Sequence, residues 1–211
     1  MLDSFSYATI FQYSPNGNSE IAKKSKFLPG LIKGGRVESL RPAIIRIVSE
    51  YEELLSDFLN ENVTLVPTPR SSLIQKGQLW PALEIAKLLE SLNLGVLATC
   101  LQRVSRINRS SLYPAAYDRP SVKEQYDTMA VSDYIPTENI TLIDDFMTLG
   151  RTTCGGTSRL AEKFPKATIR AFALVQTKGL KSNRDIKEIE NVYTNVITYN
   201  PYTGKCTRHQ D

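Results

Sequence analysis

The sequence predicts an α/β fold: a parallel sheet flanked by helices. Two observations carry this prediction. Apolar, strand-like segments alternate with amphipathic helical segments over residues 41–175, which is typical of a parallel sheet with helical connections. One of those strands, residues 140–143, ends in two acidic residues and a glycine turn that opens a helix. At roughly 150 residues per domain, we expect the 211 residues to form one domain.

The composition is that of a globular protein with a mild excess of positive charge. The chain has 26 Lys+Arg and 22 Asp+Glu, a net charge of +4, which favours either nucleic acid or phosphorylated small molecules as partners. Its three cysteines are widely spaced without a C-x-x-C pair, which argues against a zinc site or a disulfide framework. The sequence lacks a secretion signal and a run of 18 apolar residues, so we expect a cytoplasmic protein.

The first half of the chain supplies two strands and two helices. Residues 6–13 are rich in aromatic and β-branched side chains and predict a strand. Apolar residues recur at three- and four-residue steps over 41–60, which predicts an amphipathic helix. Residues 63–66 predict a short strand cut off by prolines, and residues 80–92 a helix with Pro81 in its first turn.

The second half contains a long polar segment between regular elements. Residues 103–127 show little periodicity, and an irregular stretch of this length in a compact domain is usually functional or mobile. The other predicted elements are strands at 95–101, 140–143 and 168–175, a helix at 152–164, and a hairpin that opens with 192–198.

Acids, hydroxyls and a glycine follow the apolar strand 140–143, where an α/β sheet binds its ligands. Asp144 and Asp145 end the strand, and the next helix points its N-terminus at the same edge. Its free N–H groups and its dipole favour a phosphate, and Gly150 lets the backbone approach closely. Carboxylates beside such a cradle accept hydrogen bonds from sugar hydroxyls or hold hydrated magnesium. The pattern indicates a sugar phosphate.

Plainer interpretations of the acidic pair stay open. An Asp-Asp pair after a strand is equally typical of a helix cap or a solvated loop. The motif G-x-x-x-x-G-K-[ST] is absent from the sequence, which excludes a P-loop ATPase. A phosphoacceptor receiver domain would carry its acidic pair near its first strand and not at position 144, which argues against that class.

Residues 140–152, Ile-Thr-Leu-Ile-Asp-Asp-Phe-Met-Thr-Leu-Gly-Arg-Thr, resemble the phosphoribosyl-pyrophosphate signature of type I phosphoribosyltransferases. Phe146 is larger than the usual aliphatic residue. Leu149 stands where a small or hydroxyl residue is usual, so one side-chain donor to the 5′-phosphate is missing. Residues 63–70, Val-Thr-Leu-Val-Pro-Thr-Pro-Arg, resemble the ComF-like branch of that family, here without its zinc finger.

The resemblance covers about residues 41–177 and implies a type I phosphoribosyltransferase-like sheet, with 1–36 and 186–211 as a small hood formed by the two termini. It also implies four groups of site residues. Asp144 and Asp145 would bind the ribose hydroxyls, directly or through magnesium. The 5′-phosphate would be bound by Thr148, Leu149, Gly150, Arg151 and Thr152, and the pyrophosphate by Thr68, Pro69, Arg70 and Lys76. The flexible catalytic loop would contain Arg103, Arg106 and Arg109.

The implied activity is magnesium-dependent transfer of the phosphoribosyl group from phosphoribosyl pyrophosphate to an unidentified base or amine, with release of pyrophosphate. The transition state of such a reaction resembles an oxocarbenium ion, so we expect catalysis by positioning and charge stabilisation. Mg²⁺ is the expected cofactor, because it would neutralise the leaving group.

A second hypothesis is a non-catalytic module that senses phosphoribosyl pyrophosphate or a nucleotide. Leu149, the positive charge and the basic residues 23–33 favour a regulatory role of this kind, with nucleic acid or a partner protein. The sequence leaves a homodimer open and predicts no membrane partner.

Overall fold

The computed structural model describes residues 1–73, 75, 77–108, 119–132, 135–178 and 185–209. Strands and helices alternate through this part of the chain. The strands are β1 (Ser4–Tyr13), β2 (Thr64–Pro67), β3 (Val96–Leu97), β4 (Leu101–Arg103), β5 (Met129–Val131), β6 (Asn139–Met147), β7 (Thr168–Thr177), β8 (Glu190–Asn200) and β9 (Lys205–Arg208). The helices are α1 (Glu20–Ser25), α2 (Phe27–Lys33), α3 (Arg41–Glu50), α4 (Glu52–Leu55), α5 (Pro81–Ser91), α6 (Val122–Asp127) and α7 (Arg151–Lys163), with a 3-10 turn at Val37–Leu40.

A central sheet of seven strands, in the order β3-β2-β6-β7-β1-β8-β9, runs through the described residues. Neighbouring strands from β3 to β1 are parallel, whereas β8 is antiparallel to β1 and β9 to β8. The predicted α/β class, with a mostly parallel sheet flanked by helices, is therefore confirmed. β4 and β5 pair with each other in a separate antiparallel ribbon.

The chain ends belong to this sheet, which differs from the hood predicted from residues 1–36 and 186–211. β1 is an inner strand, hydrogen-bonded to β7 on one side and to β8 on the other. Both faces of β1 are also covered: Tyr7 and Phe11 belong to different apolar clusters and are at most 2% exposed. β8 and β9 then complete one edge, so the strands of both termini extend the core.

Helices α2, α3 and α5 cover one face of the sheet. Their side chains Leu28, Ile44 and Ile85 form one apolar cluster with Leu65 of β2 and Phe172 of β7. All five are fully buried. Because burying a side chain of this size contributes roughly 1.5–3 kcal/mol, this layer holds much of the stability of the fold.

Helix α7 covers the other face and is built from small residues because the space is narrow. A Cβ added at Gly155 would lie 2.7 Å from Cβ of Gln125 in α6, and one at Gly156 would lie 2.9 Å from Cδ2 of Leu142 in β6. Any larger residue at these two positions would push α6 or β6 away. The glycines therefore allow α6 and the sheet to approach α7 closely.

The sheet curls until its β8–β9 edge reaches the turn that follows β6. In a flat sheet four strand spacings, roughly 19 Å, would separate β9 from β6. Yet Sγ of Cys206 in β9 donates to the carbonyl of Leu149 at 3.1 Å. The hairpin of β8 and β9 therefore lies directly on this turn.

Two predicted elements are divided in the structure. The helix predicted over 41–60 breaks at Tyr51, whose φ of −117° and ψ of 34° are not helical. Leu55 and Phe58, which follow the break, are still buried. Because apolar residues continue at the same spacing, the sequence pattern does not reveal the break. The strand predicted over 95–101 splits into β3 and β4, which join different sheets.

None of the helices in the described ranges has the length and apolar character needed to cross a membrane.

Candidate functional site

The carboxyl ends of β2 and β6 lie side by side at one edge of the sheet. Pro67 of β2 pairs with Ile143 of β6, and the N–H of Thr68 donates to the carbonyl of Ile143 at 2.8 Å. The loop after β2 therefore leaves the sheet next to Asp144 and Asp145. Both acids lie within the last part of β6, which ends at Met147, four residues beyond the predicted strand.

Asp144 is a buried carboxyl between β6 and the first turn of α7, with an exposed fraction of 9%. Its Oδ1 accepts the N–H of Asp145 at 3.0 Å, and its Oδ2 accepts the hydroxyl of Thr153 at 3.4 Å. Burial first, and then the charge of Asp145, raise the pKa of Asp144 well above its ordinary value. A cation or hydroxyl donor that reached this carboxylate would stabilise it strongly, because so little water does.

Gly150 forms the tight turn from β6 into α7. Its φ of 77° lies in the left-handed region, and an added Cβ would lie 2.6 Å from Cδ1 of Ile197 in β8. The backbone conformation and the packing of the hairpin both require glycine here. The hydroxyl of Thr148 donates to Oγ1 of Thr177 at 3.3 Å, which ties the turn to β7.

A small pocket of about 90 Å³ opens over this turn. It is lined by Arg119, Asp144, Phe146, Met147, Thr148, Leu149, Gly150, Arg151, Thr152 and Thr153. No side chain of the described residues caps α7, so the N–H groups of its first turn are left for a ligand. The pocket has room for several water molecules or for one phosphate group. The structure thus brings the predicted phosphate-binding residues together with Asp144.

Asp145 faces different surroundings and is absent from the lining of that pocket. Its Oδ1 accepts the N–H of Phe146 at 2.8 Å. The ring of Phe146 meets that of Tyr13 edge-on, with centroids 5.9 Å apart, and Nζ of Lys33 lies 5.6 Å from the Phe146 centroid. The end of β6 therefore offers one acid to the pocket and the other to a half-buried position beside it.

Arg119 enters the pocket from the segment before α6. Nη1 of Arg151 donates to the carbonyl of Arg119 at 2.7 Å, which ties that segment to α7. From the sequence, Arg119 belongs to the polar segment 103–127, which the resemblance identifies as the flexible catalytic loop and whose positive charge was expected to bind phosphate and pyrophosphate. Nothing in the local pattern predicts its contact with α7, because that contact joins residues 32 positions apart.

The residues predicted to contact pyrophosphate are held mainly by their own loop. The carbonyl of Thr68 accepts the indole N–H of Trp80 at 2.7 Å, and Nη1 of Arg70 donates to the carbonyl of Leu79. Pro69 lies between them, and none of Thr68, Pro69 and Arg70 lines the small pocket. Lys76 lies outside the described residues.

Arg103 is a correction to the predicted flexible loop, because it lies in β4 and is only 6% exposed. Its guanidinium donates to the carbonyl of Arg70 at 3.0 Å, to the carbonyl and side chain of Gln125, and to the hydroxyl of Thr128. Burial lowers the pKa of Arg103 to about 10. The residue joins the loop after β2 to the C-terminal part of α6. Of the other two arginines, Arg106 is exposed and Arg109 lies outside the described residues.

Arg208 of β9 lies close to the candidate site, although the sequence did not indicate this position. Its Nη1 and Nη2 donate at 3.4 Å to the carbonyls of Met147 and Thr177, at the ends of β6 and β7. Burial lowers the pKa of Arg208, and burial also raises the pKa of the neighbouring Tyr7. Arg208 places a half-buried positive charge beside the turn. An arginine in a terminal strand carries no local signal of this placement.

Within the described ranges no group of three or more His, Cys, Asp or Glu side chains could hold a metal ion. The two carboxylates of Asp144 and Asp145 are too few for a resident magnesium site. They suit an ion that brings most of its ligands with a bound phosphate, as Mg²⁺ commonly does.

A larger cavity of about 540 Å³ lies at the opposite, amino end of β6. Glu138 and Lys166 contribute to its lining, which contains none of the predicted site residues. The larger cavity volume therefore does not identify the candidate functional site. The edge where β2, β6 and α7 meet combines a carboxyl, a helix N-terminus and an arginine in one pocket. That arrangement can bind an anion and a hydroxyl group together.

No protein-family model matches the chain, and no curated protein sequence matches it significantly.

Proposed function

We propose that the protein binds phosphoribosyl pyrophosphate and transfers its phosphoribosyl group to a nitrogen nucleophile, releasing pyrophosphate. One observation carries the proposal: Asp144 and the uncapped N-terminus of α7 line the same pocket at the carboxyl edge of the sheet. A sugar phosphate presents both a hydroxyl and an anion, so it matches this combination. The sequence of the turn, Thr-Leu-Gly-Arg-Thr over 148–152, supports the same ligand.

The turn would hold the 5′-phosphate through the backbone N–H groups of α7 and the hydroxyl of Thr152. Asp144 and Asp145 would accept hydrogen bonds from the ribose hydroxyls. In the reaction the bond from carbon 1 to pyrophosphate breaks while the bond to nitrogen forms, and positive charge develops on the ribose. The nearby carboxylates would stabilise that charge.

The loop after β2 is the part of the chain that would meet the pyrophosphate, because it leaves the sheet beside β6. Arg70 would contribute a planar fork that pairs with two phosphate oxygens. To do so its side chain has to leave the carbonyl of Leu79, to which it donates in this structure. Mg²⁺ carried by pyrophosphate and held by Asp144 or Asp145 would supply charge neutralisation of the leaving group.

A second candidate function, sensing without catalysis, is favoured by Leu149. A leucine in the turn supplies no hydroxyl, and its carbonyl is already engaged by Cys206. Such a site would bind the sugar phosphate and report it to a partner. Pyrophosphate release across a panel of purine and pyrimidine bases and simple amines separates the two candidates.

Calorimetric titration with phosphoribosyl pyrophosphate and MgCl₂ tests the proposed ligand. Gly150→Ala combines a left-handed backbone with a clash against Ile197, so we expect at least a tenfold loss of affinity. Gly204→Ala is the matched control, because Gly204 also has a positive φ of 65° but no atom lies within 4 Å of an added Cβ. We expect the control to bind as the wild type does.

Absence of binding to the wild-type protein would contradict the proposal. Equal binding by Gly150→Ala would also contradict it, since the ligand would then lie somewhere other than over this turn.

A further inference from the structure

We propose that Arg119 binds the phosphate group in the pocket over α7, in place of the hydroxyl that Leu149 does not supply. The inference rests on the proposed function and names the side chain that provides the positive charge. It assigns to the pocket the phosphomonoester end of a sugar phosphate.

Arg119 lies at the pocket and has unused donor capacity. Arg119 lines the pocket together with Asp144 and Gly150. Its Nε is buried and has no hydrogen-bond partner among the residues that the structure describes. A buried N–H without a partner destabilises the folded chain, so an acceptor that reached Nε would remove this cost.

The turn itself has few side-chain donors to give. The hydroxyl of Thr148 donates to Thr177, and Nη1 of Arg151 donates to the carbonyl of Arg119. Leu149 has no polar side-chain atom. Thr152, the backbone N–H groups and the other N–H groups of Arg151 remain. Arg119 differs from Arg151 in that its guanidinium is not committed to the neighbouring segment and its buried Nε has no partner among the described residues.

Three contacts fix the segment that carries Arg119. Arg151 holds its carbonyl, as described above. Ser121 begins α6 with a capping box, in which Glu124 accepts the N–H of Ser121 at 2.7 Å and Ser121 accepts the N–H of Glu124 at 3.2 Å. Nε of Arg159 in α7 donates to the carbonyl of Tyr126 at 2.8 Å. Because these contacts fasten α6 and the segment before it to α7, the backbone of Arg119 stays close to the N-terminus of α7.

This arrangement makes Arg119 a phosphate-binding residue and Arg151 a positioning residue. A guanidinium offers parallel N–H donors that match two phosphate oxygens, which a hydroxyl does not. Arg119, from a different segment of the chain, would thus replace the hydrogen-bond donor that a hydroxyl residue at position 149 would supply to the phosphate.

Calorimetry with ribose 5-phosphate, and separately with phosphoribosyl pyrophosphate and MgCl₂, tests the assignment. We expect Arg119→Gln to weaken ribose 5-phosphate about tenfold to a hundredfold, because a charge-assisted hydrogen bond is lost. Arg119→Lys should lose less, since it keeps the charge without the fork. Adding Leu149→Thr to Arg119→Gln should recover part of the loss, a rescue that a purely structural role would not give.

Lys123→Gln is the charge-matched control, because Lys123 is an exposed residue of α6 that pairs with Asp127 and lies outside the pocket. We expect it to bind as the wild type does. Melting curves establish whether each variant is folded. If Arg119→Gln is not folded, the affinity of Arg119→Lys for ribose 5-phosphate is compared with that of the wild type instead.

Equal affinity of the wild type and the Arg119 variants for ribose 5-phosphate would overturn the inference while leaving the proposed function standing. Binding of ribose 5-phosphate through Arg119 without binding of phosphoribosyl pyrophosphate would keep the inference and overturn the proposed function. No binding of either compound would overturn both.

Discussion

The folded chain does little to stabilise the ionised form of Asp144. Its carboxyl is buried, its hydroxyl donor Thr153 is 3.4 Å away, and a second acid follows it in the chain. Burial and the neighbouring charge therefore keep its pKa raised. A ligand that donates to Asp144, or that brings a cation, would therefore stabilise the folded chain.

The raised pKa of Asp144 predicts a specific pH dependence of stability. Between the ordinary carboxyl pKa, about 3.9, and the raised value, the folded chain holds a proton that the unfolded chain has lost. The free energy of unfolding therefore falls as pH rises through this range. Asp144→Asn removes this titration, so the Tm of the variant minus that of the wild type should increase with pH.

Thermal melts from pH 4 to pH 8 in EDTA measure this difference. A change of 1 kcal/mol in the free energy of unfolding moves Tm by roughly 2–4 °C in a domain of this size, so the trend is measurable. Asp57→Asn is the control, because Asp57 is an exposed carboxylate paired with Arg170. A Tm difference for Asp144→Asn that stays constant over this pH range would show that Asp144 titrates like an exposed acid.

At the scale of the helices, Gly155 sets the distance between α7 and α6. Gly155→Ala would place a Cβ 2.7 Å from Cβ of Gln125 and 2.9 Å from the N of Tyr126. Overpacking of this kind typically costs about 1–3 kcal/mol. We expect a Tm several degrees lower and, because α6 carries Arg119 with it, weaker binding of ribose 5-phosphate by calorimetry.

Gly30→Ala in α2 serves as the comparison, since Gly30 is helical and an added Cβ meets no atom within 4 Å. That variant should gain about 0.5–1 kcal/mol from lower chain entropy in the unfolded state. If Gly155→Ala behaved like Gly30→Ala, the contact between α6 and α7 would not constrain the pocket.

The strand, acids, turn and helix of residues 140–163 could be predicted because their signals are local. A short apolar run, a glycine and an amphipathic period specify β6, the turn at Gly150 and α7 without reference to other segments. The placement of Arg103 could not be predicted in this way. An arginine in a polar segment is expected to be exposed to solvent, whereas Arg103 is hydrogen-bonded to Gln125 and Thr128.

For the molecule as a whole, the position of β1 is the feature that sequence reasoning did not provide. Residues 6–13 were predicted as a strand, and β1 confirms that. Its partners β7 and β8 lie more than 150 residues away along the chain, and periodicity does not encode pairing over such distances. The assignment of the site residues to a sugar phosphate stays a prediction.

The thiols provide a test of how firmly the curled sheet is closed. Burial raises the pKa of Cys100 and Cys206 to about 11 and that of Cys154 to about 12. Since the thiolate is the reactive form, we expect all three to react slowly with an aromatic disulfide reagent at pH 8. Cys206 should react first, because it is half-buried on the edge strand β9.

Full reaction of three thiols in denaturant provides the reference. A ligand seated on the turn should slow Cys206 further, because this thiol donates to the carbonyl of Leu149 in that turn. Rapid labelling of Cys154 in the native protein would mean that α7 is not enclosed as described.

The inner position of β1 also bears on how the chain is made. β7 begins about 155 residues after β1 ends, which at 5–20 residues per second is roughly 10–30 s of synthesis. During that interval an apolar strand with both edges unpaired has left the ribosome before either of its sheet neighbours exists. Its temporary cover must come from a chaperone or from the α2, α3 and α5 segments, whose side chains share an apolar cluster with Ile10 and Phe11 in the finished protein. The pocket can form only after this wait, because the hairpin that closes over Gly150 depends on β8 joining β1.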